Sequence, residues 1–225
     1  MKSLNAHIIK NSKHLKLISK LLIFLLIACL HIFCYYQVNQ ISGKLSPSGL
    51  YNFETGIDKL IPYLSWTWIF YYAGEFYILV WASIIVLLMP DEKFKRTVVS
   101  YILMILTGAY IQILFPAQSP YPPVLTLVQK WFHTSVINAP YACLPSMHVA
   151  LCIFPALIGM SVLKSHTVKY FSLFSAVLIS ISTLTLKEHY FLDVIAGFVL
   201  GLIFYFFWKI NLKKYTLYHN INFKK

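Results

Sequence analysis

The sequence predicts an all-α, polytopic membrane protein, a bundle of six transmembrane helices with an active site facing away from the cytoplasm. Three observations carry this. Of 225 residues, 59% are hydrophobic and only 12% charged, against about 25% charged in soluble domains. Mean hydropathy is +0.68. The net charge of +12, from 19 Lys and Arg against 7 Asp and Glu, comes in short clusters between long apolar runs. That is the pattern of juxtamembrane loops rather than of a nucleic-acid-binding surface. Composition thus excludes a water-soluble enzyme and argues against a nucleic-acid partner, and the length suits a single membrane-embedded domain over residues 1–225.

A spanning helix needs about 20 largely apolar residues to cross about 30 Å of hydrocarbon. Six runs qualify: residues 17–36, 66–89, 98–115, 147–163, 168–186 and 190–208. The first is read as a spanning helix rather than a signal peptide ending at a lipidated Cys29, because the apolar run continues through LHIFCYY. The second opens on Trp66 and Trp68, whose amphipathic rings favour a membrane interface, as do those of Trp131 and Trp208. It also contains Glu75; an ionisable group within a span is functional by default, unless it serves to hydrogen-bond Tyr71, Tyr72 or Tyr77. The third follows the charged stretch DEKFKR. The fourth begins directly after Pro145, and proline suits the first turn of a helix. The fifth and sixth are joined by a short polar hairpin around Lys187.

Counting lysines and arginine orients the bundle. The N-terminus holds five, residues 91–96 three, 164–169 two and the tail from Lys209 five, so 15 lie on one side and only Lys44, Lys59, Lys130 and Lys187 on the other. Basic residues collect in short cytoplasmic loops, which puts both termini in the cytoplasm and the loops 37–65 and 116–145, with the Lys187 hairpin, outside. The membrane is the cytoplasmic (inner) membrane or another cell membrane. Four cysteines, Cys29, Cys34, Cys143 and Cys152, form no CxxC pair and point to neither a zinc site nor a disulfide scaffold.

Two stretches carry candidate chemistry. Six of the ten prolines fall between Pro116 and Pro145, and the loop ends in CLPSMHVALCIFPAL. Ser146 and His148 therefore sit at an outward-facing helix N-terminus, where free N–H groups and the positive dipole end favour an anion. The second stretch, STLTLKEHYFLDVIAG, spaces His189 and Asp193 as i, i+4. On a helix they share a face, so the carboxylate can hold one ring nitrogen and fix the tautomer of the other. The lysine count places His148, Lys187, His189 and Asp193 on one rim. Glu188, Lys130 and His133 read as solvated loop residues, Cys143 as a small loop residue, and Met147 and Cys152 as helix packing. The abundance of Phe and Tyr reads as lipid contact.

Over residues 116–201 these motifs resemble the type 2 phosphatidic acid phosphatase superfamily of six-helix membrane phosphatases and phosphotransferases. That family's PSGH motif is matched by Pro145, Ser146, Met147 and His148, with Met for Gly. Its SRxxxxxHxxxD motif is matched by Ser182, His189 and Asp193, with Thr183 for Arg. Its KxxxxxxRP motif is not recognisable, and the only arginine, Arg96, falls on the cytoplasmic side. The Lys before HY, and FPAQSPYPP, are similar to the inositol phosphorylceramide synthase-like branch.

The resemblance implies His189 as a nucleophile forming a phosphohistidine, Asp193 orienting it and His148 protonating the leaving alkoxide. Ser146 and Lys187 are left to hold the phosphate. Such a scheme requires neither metal nor cofactor. It makes the partner a lipid phosphate within the bilayer and the activity a phosphoric ester hydrolase or lipid phosphotransferase. The remaining alternative is a non-catalytic transporter or binding protein whose His and Asp relay protons or hold a metal.

Overall fold

The computed structural model describes residues 2–45, 49–87, 89–120, 127, 130 and 140–222; side chains are described from residue 16 to 210, apart from a few in the second segment that include Glu75. Trp131 and His133 lie outside the described residues.

Helix α1 runs Lys2–Ser42, beyond the apolar run at both ends, because nothing in its sequence breaks a helix before Gly43. A five-residue helix, α2 (Gly56–Leu60), follows in the loop. The second apolar run is broken: α3 (Trp68–Phe76) passes through a π-helical turn at Tyr77–Trp81 into α4 (Ala82–Leu87). Helix α5 (Asp91–Leu114) starts seven residues before its apolar run, with Asp91 and Glu92 in the first turn, where carboxylates oppose the helix dipole. Then come α6 (Met147–Val162), α7 (His166–Thr185) and α8 (Phe191–Asn222).

The apolar runs are thus largely helical, but among the described residues only four helices have the length and composition to cross a membrane: Lys16–Ser42, Asp91–Leu114, His166–Thr185 and Phe191–Ile210. At 16 residues α6 spans about 24 Å. It is nonetheless the centre of the bundle, packed on α7 and α8 and buried almost all round, as expected of a helix apolar on every side. Phe154 of α6 meets Tyr101 of α5 edge to face, with ring centroids 4.9 Å apart, in a core shared with Phe24, Met104, Leu200 and Trp208. The outer faces of α1, α7 and α8 expose Leu26, Phe33, Phe174 and Ile203.

One expectation is corrected here. Trp208 is 1% exposed, with its indole N–H donating to the Thr97 hydroxyl at 3.0 Å. It is a core residue between α5 and α8 rather than an interfacial anchor. Other aromatics divide between the core, with Tyr77, Phe94, Tyr101 and Phe154 buried, and the outer faces, where Phe33, Tyr110, Phe171, Phe174 and Phe206 are exposed as expected of lipid contacts.

Helices α6 and α8 pack closely through Gly197 and Gly201, spaced i, i+4. A Cβ at Gly197 would strike the Ser146 carbonyl oxygen, and one at Gly201 would come within 3.3 Å of the Ala150 oxygen. This small-xxx-small seam lets the N-termini of the two helices converge. The opposite end of the bundle is tied by Lys20, which donates to the Met89 carbonyl at 2.7 Å and pairs with Asp91 at 2.9 Å.

Candidate active site

Ser146 is the N-cap of α6, extended at φ −66°, ψ 109°, after a cis Leu144–Pro145 bond. Gln112, buried in α5, supports this approach by donating to the carbonyls of Ala142 at 3.2 Å and Pro145 at 3.0 Å. The amide of Ser146 donates to the Asp193 carbonyl at 2.9 Å, so the two motif stretches are joined directly through their backbones.

The second stretch is a tight hairpin. Helix α7 ends at Thr185 and Lys187 takes the left-handed conformation, φ 59°, a position where helices commonly place glycine. The amides of Glu188 and His189 both donate to the Thr183 carbonyl, at 3.0 and 3.2 Å. His189 therefore precedes α8 instead of sharing a helical face with Asp193. Asp193 lies in the first turn of α8, and its Oδ2 accepts the Tyr190 amide at 2.8 Å, the backward reach of a capping carboxylate. The same oxygen stands 3.4 Å from His189 Nδ1. The pair anticipated from i, i+4 spacing is close, then, but through a turn and a cap.

His148, in the first turn of α6, lies between Tyr71 and His189, with ring centroids at 4.8 and 6.1 Å. Asp193 and Ser146 are fully buried and His189 is 7% exposed. Ser146 Oγ, His189 Nδ1 and Asp193 Oδ1 have no hydrogen-bond partner among the described residues. Buried polar atoms are normally satisfied, so three in one place mark a site with hydrogen-bonding capacity for a ligand. A polar cavity of about 460 Å³ opens beside it, lined by Glu54, Asp58, Lys59, Lys187, His189 and Tyr190. An apolar cavity of about 90 Å³ reaches His148 from the bundle interior, between Phe24, Ile27, Ile78 and Tyr101.

The structure thus brings Ser146, His148, His189 and Asp193 together. Lys187 borders the same cavity, but its ammonium donates to the carbonyls of Asp58 and Ile61, both at 2.7 Å. Ser182 and Thr183 spend their hydroxyls on the α7 backbone, donating to the carbonyls of Ile179 and Ser180. Cys143 is buried, which pushes its thiol well above the usual range, and the nearby Asp193 charge pushes it further. That suits a packing residue rather than a nucleophile. Among the described residues no three His, Cys, Asp or Glu side chains cluster to hold a metal ion.

Met147, standing where the resembling motif has glycine, is accommodated by Gly108 of α5, at which a Cβ would meet the Met147 sulfur. Sequence reasoning missed Gln112, Asp58 and the Gly197 seam. A glutamine inside an apolar run and a GxxxG spacing were the signals for the first and last.

The family model of the PAP2 superfamily matches residues 59–207, about two-thirds of the chain. The protein belongs to that superfamily. Among solved structures it is similar to the crystal structure of Aquifex aeolicus LpxE, at 19% identity and a TM-score of 0.48, over 76% of this chain and 92% of that one. No curated protein matches.

Proposed function

We propose that the protein is an integral membrane lipid phosphatase acting on a lipid phosphate or pyrophosphate through a phosphohistidine at His189. The observation that carries this reading is the approach of His148 to the His189–Asp193 pair, with His189 on the wall of a polar cavity, in a PAP2-superfamily chain. With Nδ1 facing Asp193, Nε2 of His189 attacks phosphorus. The bond from phosphorus to the ester oxygen breaks, and the departing alkoxide takes a proton from His148. Water, giving its proton back to His148, then cleaves the phosphorus–nitrogen bond and releases phosphate. Ser146 and the N-terminus of α6 offer donors to the equatorial oxygens, where charge must be stabilised during phosphoryl transfer.

In the membrane this reading has six crossings, with the broken α3–α4 rod and the short α6 completing the four long spans. Both termini are cytoplasmic and the His189 cavity extracytoplasmic.

A second reading has a lipid alcohol take the place of water, making the enzyme a phosphotransferase. The apolar cavity against His148 favours it, since an acceptor's alkyl chain would be seated beside the group that must deprotonate its hydroxyl.

The test is purified protein incubated with labelled lipid phosphates, with and without a lipid alcohol, scoring free phosphate against transferred headgroup. His189→Ala should abolish turnover and any acid-labile phosphoenzyme. His148→Ala should spare substrates with very good leaving groups, and the wild-type rate should be bell-shaped with pH, because one histidine must be neutral and the other protonated. Full activity in both variants would sink the scheme.

A further inference from the structure

A phosphate monoester brings nearly two negative charges to the His189 cavity, and the residues lining that cavity include two cations, Lys187 and Lys59. Lys187 is the sequence candidate for holding the phosphate. Its ammonium has three N–H groups, and two are committed to the carbonyls of Asp58 and Ile61. Those carbonyls bracket Lys59 in the chain. Lys59 itself is exposed, and no hydrogen bond or ion pair holds its ammonium among the described residues.

The segment carrying Lys59 is fastened to the hairpin from both sides. Asp58 Oδ1 accepts the amide of Phe191, two residues after His189, at 2.7 Å, while its Oδ2 accepts the amide and hydroxyl of Thr55 at 2.7 and 2.6 Å. Farther along, the Leu64 amide donates to the Thr185 carbonyl at 2.9 Å, and the hydroxyls of Thr67 and Thr185 meet at 2.8 Å. A loop that needed only to connect two helices would have no use for a buried carboxylate and a doubly bonded lysine exchanged with the His189 turn.

We propose that residues 55–67 form a strap that holds the His189 hairpin and presents Lys59 to the cavity, so that Lys59 is the cation facing the substrate phosphate while Lys187 is a positioning residue. The proposal rests on the phosphohistidine reading for its substrate. It adds a binding residue on an element outside the motif core of residues 116–201, and it changes the role of Lys187.

The test uses the full-length protein in nanodiscs, with a short-chain lipid phosphate as substrate and orthophosphate as competing ligand. Lys59→Ala should raise KM and the orthophosphate inhibition constant about tenfold, the scale of one charge-assisted hydrogen bond, with a smaller effect on kcat. Lys59→Arg should stay within about threefold of wild type. Lys187→Ala should lower kcat and also weaken orthophosphate, since the strap loosens. In the double variant orthophosphate should then bind no more weakly than in Lys187→Ala, because the strap has already withdrawn Lys59. An inhibition constant unchanged in Lys59→Ala, or strictly multiplicative losses in the double variant, would overturn the proposal. Thermal stabilisation by orthophosphate supplies a readout independent of turnover: it should be present in wild type and Lys59→Arg and need about tenfold more orthophosphate in Lys59→Ala, and its absence from wild type also overturns the proposal. Full activity of His189→Ala would instead count against the phosphohistidine and leave the binding result standing. Because Lys59 is exposed, its variants decide the matter even where Lys187→Ala fails to fold.

Discussion

Asp58 shows how a single buried side chain can be set by its neighbours. Burial pushes its carboxyl up, but the Thr55 hydroxyl, the Phe191 and Thr55 amides and the Lys187 ammonium more than offset this and hold it below the usual carboxylate range. A carboxyl lowered in the folded state contributes stability that is fully present above its unfolded value of ~3.9 and is lost as pH falls through the folded value. Wild-type melting temperature should therefore drop more steeply than that of Asp58→Asn once the pH falls below about 4. Gln112 acts through neutral bonds and has no such dependence. Gln112→Leu leaves the Ala142 and Pro145 carbonyls buried without their donor, a cost of about 1–3 kcal/mol. It should lower both the melting temperature and kcat, the latter because Ser146 and His148 directly follow the loop it supports.

At the scale of helices, the two close approaches of glycine differ in what stands opposite. At Gly197 the obstacle is the backbone oxygen of Ser146, which cannot move without moving the α6 N-terminus; at Gly108 it is the sulfur of Met147, near the end of a flexible side chain. Gly197→Ala should be severely destabilising and inactive, whereas Gly108→Ala should cost about 1–3 kcal/mol and be partly relieved by Met147→Ala. Thermal melts of the two single variants and the double variant measure this. The apolar runs made the helices legible in sequence, and the polar hairpin marked the end of α7 well. The N-terminal extension of α5 was not legible from hydropathy because charged residues such as those of DEKFKR are sound helix formers. The π turn within 66–89 has no signal in periodicity, and the interruption at Tyr77 is visible only in the folded helix. The candidate site was legible wherever its parts are neighbours in sequence. The strap was not, because Lys187 and Asp58 use bonds to backbone groups more than 120 residues away, and backbone groups are the same in every sequence.

For the molecule as a whole, the bundle has two chemically different ends. Lys16, Lys20 and Asp91 meet at one end, while Ser146, His189 and the strap meet at the other. Reporter fusions after Lys130 and Lys187 should be extracytoplasmic, and a fusion after Lys164 cytoplasmic. Inverted signals would move the cavity to the cytoplasmic face and change which lipids can reach it. The brevity of α6 is no obstacle to this layout, because a helix enclosed by α5, α7 and α8 need not match the bilayer's thickness.

The bond between the Ser146 amide and the Asp193 carbonyl has a consequence for how the protein can vary and be probed. Both partners are peptide groups, so an alanine scan passes over the tie without effect, and the spacing between the two helix starts does not depend on which side chains stand at 146 and 193. What the tie does not tolerate is a change in chain length on either side or the loss of the amide itself. Insertions and deletions should therefore be excluded from residues 145–148 and 189–193 while remaining admissible in the turn at 163–165. Only a backbone edit at Ser146, such as an ester in place of its amide, would reveal how much of the alignment of the two histidines depends on one proton.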